Sequence, residues 1–360
     1  MPSTRPRINF DNYGICNGCK SIVKEIDWSD RRKQLENLID KSVTENSPYH
    51  CVVAWSGGKD SSSIALRLKQ DFELNPLLVT FSPLIPTNVG ETNKRNLKEL
   101  GFDSIEVSPK INISRILANR FFVERGDPKL HWNAGVNSAP IRIAEKFRIP
   151  FIFYAEHGET KYGGRVLSET SERERDIDEI LENQIGDDPS NWVSPTVNQN
   201  DLYHYMFPSN LGQENLKALY FAYFSHWDVN SNIEYIDSKM EFKRNPTGRT
   251  NGTFTDFDSL DDDMDDLYYY MQYIKFGFGR CLRDVARQIQ HERLTREQGL
   301  SLIRKYDGEF PINSINSCLE YLNISGNDFE KIVDSHRSEQ IWKRTKGKWS
   351  LRFPIKFEWE

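Results

Sequence analysis

The sequence predicts an α/β fold built on a doubly wound parallel sheet. Four short apolar runs rich in strand formers, at 51–55, 77–81, 105–107 and 151–154, alternate with amphipathic stretches at the spacing of βαβ units. The first run leads through two glycines directly into a helical pattern. A hydrophobic content of 38% in 360 residues is enough for a packed core.

Helical patterns fill the connections of this sheet and most of the chain beyond it. The predicted helices lie at 31–46, 64–71, 93–100, 111–123, 141–147, 281–290, 295–306, 314–322 and 326–340, with a helical, aromatic stretch from Leu211. The polar segment 165–210 is typical of an irregular, lid-like insertion. We therefore expect an N-terminal CxxC segment and helix (1–46), a sheet domain with its insertion (47–210) and a mainly helical C-terminal region (211–360).

The composition indicates a cytoplasmic protein without a membrane span. The formal net charge of −6 argues against broad nucleic-acid binding, which leaves a basic footprint. No apolar run approaches the roughly 18 residues of a membrane helix, and the first residues lack the apolar core of a signal peptide. Five cysteines in a chain of this length are typical of a reducing compartment and not of a disulfide framework.

The turn after the first strand, SGGKDSS, is the strongest candidate for a binding site. Gly57 and Gly58 let a phosphate approach the backbone, and the start of the following helix adds amide groups and partial positive charge. Lys59 adds a full charge. The residues predicted to hold a polyanion are Ser56, Gly57, Gly58, Lys59, Asp60, Ser61 and Ser62. The alternative is a surface glycine turn with a chance Lys-Asp pair.

This loop is not a Walker A motif, because Asp60 follows Lys59 and Val53 stands five positions before Gly58. It resembles instead the pyrophosphate-binding loop of the ATP pyrophosphatases. That resemblance implies an adenine nucleotide alpha hydrolase-like (PP-loop) fold and cleavage of ATP between its α and β phosphates.

Ligands of parallel sheets bind at the carboxyl ends of strands, so the loops after Trp55, Phe81 and Tyr154 should share one crevice. The loop after Tyr154 carries Glu156 and Glu159, which could hold Mg²⁺ against the ATP phosphates. The alternative is a solvated acidic loop.

A CxxC motif near the start of the chain is half of a tetrahedral zinc site. Its thiols belong to Cys16 and Cys19, and a zinc ion needs about four ligands. The alternative is a structural turn with two spare thiols. A redox role is less favoured, because the motif does not follow a strand.

The loop at 244–256 is rich in Gly, Thr and Asn and carries Arg249 and Thr250. Such a loop can bind a phosphate or a sugar, or can simply turn. The acidic run that follows at 261–266 is expected to be a solvated helix start.

Two glycines, Gly277 and Gly279, interrupt a helical aromatic stretch between Lys275 and Arg280. Each costs about 1 kcal/mol in a helix relative to alanine, so a reason is needed. Close approach of a ligand between the two flanking cations is one reason, and a kink or tight helix packing is the other.

Several segments taken together resemble one family. CNGC, AWSGGKDSS, FYAEHGETKYGG, TNGTFTDFDSLDDD, IKFGFGR, LTREQGLSLIRKYDGEFP and the late Trp342 occur in order over nearly the whole chain. The chain resembles the N-acetyl sugar amidotransferases of bacterial surface-polysaccharide biosynthesis. The SGGKDSS loop alone indicates only the ATP pyrophosphatase superfamily, whereas the C-terminal segments carry the specificity.

The resemblance implies an ATP- and Mg²⁺-dependent ligase that turns the acetamido group of a nucleotide-linked N-acetyl sugar into an acetamidino group. Ammonia would come from a separate histidine-biosynthesis-like glutaminase with a cyclase-like barrel subunit, and the product would serve O-antigen or a related glycan. The roles assigned to the matching positions are these: Lys59 and Asp60 catalytic, Lys275 and Arg280 with ATP, and Gly163, Gly164, Arg249 and Thr250 with the sugar substrate.

Two departures from the family pattern affect these roles. Family members carry an earlier CxxC, and Met1-Pro2-Ser3 resembles the residues that follow it, so we expect the natural chain to begin further upstream, and the zinc site depends on that segment. The family loop has Glu-Asn and Glu-Tyr-Gly-Gly where this chain has Glu156-His157 and Lys161-Tyr162. His157 and Lys161 are therefore given no ligand role.

Two other functions compete with this one. A tRNA-thiolating enzyme of the same superfamily would need catalytic cysteines near the crevice and a basic RNA face, which the net charge of −6 does not favour. A non-catalytic nucleotide-binding subunit is the other. A glutaminase within the chain is not expected, because the second residue is Pro2 and Cys51 lies in the core strand.

Overall fold

A five-stranded parallel sheet organises the first two thirds of the chain. The structure, a computed structural model, describes residues 1–20, 25–43, 47–158, 169–208 and 216–355. The strands are β1 (Cys51–Ala54), β2 (Pro76–Phe81), β3 (Ser104–Val107), β4 (Phe151–Tyr154) and β5 (Lys217–Tyr220), in the order β3-β2-β1-β4-β5. The predicted doubly wound α/β fold is confirmed.

Helices cover both faces of this sheet and recur throughout the C-terminal region. Up to β5 they are α1 (Asn17–Lys20), α2 (Trp28–Ser42), α3 (Lys59–Asp71), α4 (Asn88–Lys98), α5 (Ile111–Arg125), α6 (Leu130–Phe147), α7 (Glu169–Arg173) and α8 (Ile177–Ile180). Beyond β5 they are α9 (Phe221–Phe224), α10 (Val229–Asp237), α11 (Met264–Phe276), α12 (Arg280–Gln290), α13 (Arg296–Tyr306), α14 (Ile315–Leu322) and α15 (Gly326–Ser335).

Strand β1 is buried on both faces, which explains its unbroken apolar sequence. Cys51 and Val53 pack in one cluster with Ile64 of α3, whereas Val52 packs in another with Ile141 of α6. Parallel pairing with β2 on one side and β4 on the other satisfies its backbone. The chain first builds β2 and β3 on one side of β1 and then crosses to β4 on the other, so the carboxyl ends of β1 and β4 flank a crevice.

The fifth strand corrects the prediction of a helical stretch from Leu211. Residues Lys217–Tyr220 pair with β4 in parallel, and only the four residues of α9 that follow are helical. The apolar positions at 216, 219 and 220 fit a helical period, but a fully buried four-residue strand has no alternation to distinguish it. The sheet therefore continues beyond the predicted boundary at residue 210.

The described part of the segment predicted to be lid-like packs as core. Trp192 and Tyr205 are fully buried, and the Trp192 ring lies 4.9 Å from that of Phe121 in α5. The segment contains two 3₁₀ turns and one π-helical turn (Leu181–Ile185), and the π-helical turn contacts α6. It is a fixed wall of the molecule and not a loose insertion.

A C-terminal hairpin, β6 (Trp342–Thr345) and β7 (Lys348–Leu351), closes the helical region and was not predicted. The indole Nε1 of Trp342 donates to the Ile274 carbonyl of α11 at 2.7 Å, which ties the hairpin to that helix. The last predicted helix, 326–340, ends at Ser335 to make room for it. Within the described ranges, no helix is both long and apolar enough to cross a membrane.

Gly135 of α6 offers a test of how tightly this helix packs on the sheet. A Cβ at this position would lie 2.2 Å from the ring of Phe81 in β2. We expect Gly135→Ala to lower the free energy of unfolding by about 1–3 kcal/mol through overpacking, despite the better helix propensity of alanine. Urea unfolding measures this. Gly326→Ala, whose new methyl would meet nothing within 4 Å, is the control; an equal effect there would refute the packing argument.

Candidate active site

A cavity of about 800 Å³ opens at the carboxyl ends of the sheet strands, within the size range of ligand pockets. Trp55, Phe81 and Tyr154 all line it, as the strand pattern predicts. The opposite wall comes from the C-terminal region, through residues such as Asp258 and Tyr268. The cavity therefore lies between the sheet and the helical region.

The SGGKDSS loop forms one end of the cavity. Gly57 has φ +89°, and a Cβ there would lie 2.7 Å from the side chain of Lys94, so glycine is required. The hydroxyl of Ser56 accepts from the Gly58 amide at 3.2 Å, and α3 begins at the next residue. The first amides of a helix have no partner inside the helix, so this turn can bind an anion.

Most of the predicted loop residues reach the cavity, but not all. Ser56, Gly58, Lys59, Asp60 and Ser61 line it. Ser62 does not, because it is fully buried behind the loop. Its hydroxyl accepts from the indole Nε1 of Trp55 at 3.0 Å. Gly57 shapes the turn without lining the cavity. The predicted anion contact of Ser62 is thus replaced by a structural one.

Lys59 is buried, with 4% of its surface exposed, and its ammonium is clamped by two carboxylates. It lies 2.9 Å from Asp60 and forms a still closer ion pair with Asp258 of the C-terminal region. Burial by itself lowers the pKa of Lys59, but Asp258 and then Asp60 outweigh it and raise that pKa above its usual range. Asn232 of α10 donates to the other oxygen of Asp60 at 3.1 Å and fixes its orientation.

A second buried lysine, Lys129, stands at the cavity wall and was missed by the sequence argument. Its ammonium lies 2.9 Å from Asp262 and also pairs with Asp265. The carboxylate of Asp262 further accepts from the amides of Leu84 and Ile85, at 3.1 and 3.0 Å. The run at 261–266 does start a helix, since α11 begins at Met264. Its predicted exposure to solvent is wrong for Asp262, which is buried, neutralises a buried cation and anchors the loop after β2.

Of the two predicted magnesium ligands, Glu156 lies within the described residues and Glu159 does not. Glu156 lines the cavity and lies 3.2 Å from Arg287 of α12. Glu159, together with Gly163 and Gly164, falls outside the described residues. Within the described ranges, no group of three or more His, Cys, Asp or Glu side chains is arranged to hold a metal ion.

Arg249 and Thr250 are not among the residues that line the cavity. Arg249 forms a two-pronged pair with Glu309, at 2.6 and 2.7 Å, and its guanidinium lies 4.7 Å from the Tyr306 ring. The Thr250 hydroxyl donates to the Asp258 carbonyl at 2.8 Å. In the structure both residues hold this loop in shape, and their predicted contacts with a sugar stay a prediction.

The two cations that flank the glycine pair differ in position. Lys275 lines the cavity, where burial lowers its pKa. Arg280 is buried behind the cavity wall with its guanidinium 4.5 Å from the Tyr269 ring. Of the two, only Lys275 is placed to meet a ligand directly.

The two glycines themselves end one helix and begin the next. Gly277 terminates α11 in the left-handed conformation, at φ +74°, and Gly279 precedes α12. A Cβ at Gly277 would lie 2.8 Å from Ile341, and one at Gly279 would lie 2.9 Å from Asp307. Of the two explanations considered, the structure favours helix termination and tight packing.

The two cysteines of the CxxC motif lie side by side near the N-terminus. Cys16 is buried and accepts from the Cys19 amide at 3.4 Å, while Cys19 is exposed. A hydrogen bond with the Cys19 side chain lowers the pKa of the Cys16 thiol to about 5. No further metal ligand accompanies this pair among the described residues, so zinc binding stays a prediction.

The start of the chain also reaches the cavity, which sequence reasoning missed. Arg5 and Arg7 are among the lining residues, and Arg7 donates to the Asn183 carbonyl at 3.5 Å. Nothing in the local sequence signals this, because the contact joins residues 176 positions apart. Asp258 could have been suspected, since it lies in the TNGTFTDFDSLDDD segment.

Comparison with known proteins bears on this C-terminal wall. Residues 251–355 match the family described as "LPS biosynthesis protein WbpG-like, C-terminal domain". Residues 251–355, called the WbpG-like domain from here on, are similar to that family. The resemblance to a surface-polysaccharide biosynthesis family is thereby confirmed. The WbpG-like domain contributes Asp258 to the Lys59 pair and Lys275 to the cavity wall.

Two further similarities are more distant. An uncharacterized protein of Methanocaldococcus jannaschii is 29% identical over 122 residues, which is 34% of this chain and 40% of that protein. A structure titled as a predicted subunit of tRNA methyltransferase from the same organism is 20% identical. That match covers 43% of this chain and 73% of the other, with a TM-score of 0.21.

The attachment of the WbpG-like domain to the sheet can be tested at Asp262. Asp262→Ala removes one of the two carboxylates that pair with buried Lys129 and the acceptor for the backbone amides of Leu84, Ile85 and Met264. We expect a loss of about 3–5 kcal/mol in the free energy of unfolding, because a buried ammonium loses one of its partners and three amides lose their acceptor. Guanidinium unfolding followed by tryptophan fluorescence measures this loss.

The control is Asp237→Ala, which breaks a partly exposed pair with Arg244. That change should cost about 1 kcal/mol or less. If both variants lost the same stability, the run at 261–266 would not be the anchor described above.

Proposed function

We propose that this chain is an ATP-dependent amidotransferase of surface-glycan biosynthesis that converts the acetamido group of a nucleotide-linked N-acetyl sugar into an acetamidino group. The observation that carries the proposal is the Lys59–Asp258 pair. It joins a loop suited to pyrophosphate to a WbpG-like domain, and both face the same cavity. The loop proposed to bind the nucleotide and the domain similar to LPS biosynthesis proteins therefore line one cavity.

The proposed reaction has two steps. The acetamido oxygen attacks the α phosphorus of ATP, and the O–P bond forms as the bond to pyrophosphate breaks. The carbonyl carbon, a poor electrophile before this step, now carries AMP as a good leaving group. Ammonia adds through its lone pair, a proton leaves the nitrogen, and the C–O bond to AMP breaks to give the amidine.

The chain's own residues would stabilise the pyrophosphate as its negative charge grows. Lys59 and the residues that begin α3 line the loop end of the cavity, and donors held there by the fold would favour the charge that develops on pyrophosphate. Asp60, held by Asn232, orients Lys59. Mg²⁺ would supply further charge neutralisation, and it commonly reaches such sites on the phosphates with only one or two protein carboxylates, for which Glu156 is the described candidate.

The competing functions find less support in the described residues. A thiolating enzyme needs cysteines at the crevice, yet Cys51, Cys281 and Cys318 are buried in the core and none of them lines the cavity. A non-catalytic nucleotide-binding subunit differs in one measurable property, since it would not exchange pyrophosphate into ATP in the presence of a nucleotide sugar.

The first test of the proposal is the loop. Lys59→Ala and Asp60→Ala should each lower AMP and pyrophosphate formation about 10²–10³-fold, the usual effect of removing one preorganised group. Turnover is measured with candidate nucleotide sugars and ammonium. Circular dichroism and melting curves show whether each variant is folded.

The matched control is Lys69→Ala, which removes a partly exposed lysine of the same helix that donates to the Gly101 carbonyl and does not line the cavity. It should keep normal turnover. Near-normal turnover by a folded Lys59→Ala variant would refute the proposed reaction.

A second test concerns the source of ammonia. We propose that ammonia arrives from a separate glutaminase with a cyclase-like barrel subunit, because none of the cysteines of the described chain lines the cavity. The purified protein should then use high ammonium at raised pH, where free NH₃ is plentiful, but not glutamine alone. Adding the two partner subunits should restore glutamine use at neutral pH.

Glutamate release is the readout that decides this point. If the chain alone formed glutamate from glutamine at the rate of AMP formation, the two-component arrangement would be wrong. Heat-inactivated partner subunits serve as the control for the restored activity.

A further inference from the structure

The loop end of the cavity has two carboxylates for one buried ammonium. Lys59 is one buried ammonium, yet both Asp60 and Asp258 contact it. Asp60 is fixed by Asn232, whereas the carboxylate of Asp258 approaches from the opposite wall of the cavity. Asp258 therefore occupies the side of Lys59 from which an anionic ligand must approach.

A polyanion at this loop would meet Asp258 as a like charge. Two unit charges 4 Å apart interact by about 4 kcal/mol at the effective dielectric constant typical of proteins. Lys59 is only 4% exposed, so solvent screens this repulsion poorly. Tight binding of pyrophosphate thus requires the carboxylate of Asp258 to leave Lys59 for another cation.

Arg280 is a buried cation with spare hydrogen-bonding capacity, and its charge acts on that carboxylate. It is 5% exposed, and within the described ranges its Nε and Nη1 find no hydrogen-bond acceptor. The nearest carboxylate oxygen in an ion pair with it, on Asp284, is 3.8 Å from Nε, and Asp284 already accepts from Thr253. Burial raises the pKa of Asp258, whereas the charges of Lys59 and then Arg280 lower it.

We propose that Asp258 is a positioning residue with two partners, Lys59 in the empty site and Arg280 when a pyrophosphate-bearing ligand occupies the loop. This inference rests on the proposed binding of pyrophosphate at the loop. The transfer satisfies the buried guanidinium and frees the ammonium at the same time. Arg280 thereby acts on the ligand through Asp258 and not by direct contact.

The proposed exchange moves the side chain of Asp258 and not its backbone. The carbonyl of Asp258 accepts from the Thr250 hydroxyl at 2.8 Å, which holds the backbone in place. Helix α12 carries Arg280 at its first turn and Arg287 further along, and Arg287 pairs with Glu156 on the loop after β4. One helix therefore carries the proposed second partner of Asp258 and an ion pair with a second loop of the same cavity.

A double-mutant cycle with inorganic pyrophosphate as the probe tests this inference. Binding is measured by isothermal titration calorimetry for the wild-type protein, Asp258→Asn, Arg280→Gln and the double variant. Asp258→Asn should bind about tenfold more tightly because the competitor is gone, and Arg280→Gln about tenfold more weakly because Asp258 has no second partner. In the Asp258→Asn background, Arg280→Gln should have no effect.

Two further variants separate this exchange from a loss of structure. Arg280→Lys keeps the charge and should bind within about threefold of the wild-type protein. Asp256→Asn makes the same change two residues away, at a carboxylate paired with Arg244, and should leave the affinity unchanged. Melting curves accompany every variant.

The outcomes are distinct. If Arg280→Gln weakened binding equally in both backgrounds, Arg280 would contact the anion directly and the exchange would be overturned. The exchange is overturned as well if Asp258→Asn binds pyrophosphate no better than the wild-type protein. If the two substitutions are coupled but the protein forms no amidine, the exchange is supported and the proposed reaction is rejected. If the protein forms amidine but the two substitutions have additive effects, the reaction is supported and the exchange is rejected.

Discussion

The neutralisation of two buried lysines holds the candidate site together. Lys59 and Lys129 lie at the end of the sheet with 4% and 3% of their surfaces exposed. An unpaired ammonium at such depth is costly, and one short segment, 258–265, supplies a carboxylate to each of the two lysines. Asp60, next to Lys59 in the chain, adds a carboxylate from the sheet region. The WbpG-like domain therefore supplies three of the four carboxylates that pair with these two cations.

This arrangement also explains why the cavity lies between the two regions. The charged rows face each other across the carboxyl ends of β1 and β2, so ligand entry has to rearrange ion pairs. A preformed cavity with internal counter-ions avoids exposing bare buried charge when it is empty. In the proposed exchange, an anionic ligand would replace a carboxylate at Lys59, whereas a neutral ligand would not.

Local patterns could be predicted from the sequence and distant partners could not. The SGGKDSS loop was found because strand, glycine turn and helix start are adjacent in the chain, and its geometry follows from Gly57 alone. The acidic run at 261–266 was placed in solvent because its partner, Lys129, is 133 positions away from Asp262. Strand β5 was missed for a related reason, since its identity depends on pairing with β4 and not on its own four residues.

The late position of β5 has a consequence for biosynthesis of the chain. Strand β4 is complete at Tyr154, but its outer neighbour begins only at Lys217. While the intervening residues emerge from the ribosome, β4 presents an open edge of unpaired amides and carbonyls, the kind of surface that recruits other strands. Parallel pairing across so long a connection is also slow to form. The nascent protein is therefore most prone to aggregation before residue 220 has been made, well before its cavity exists.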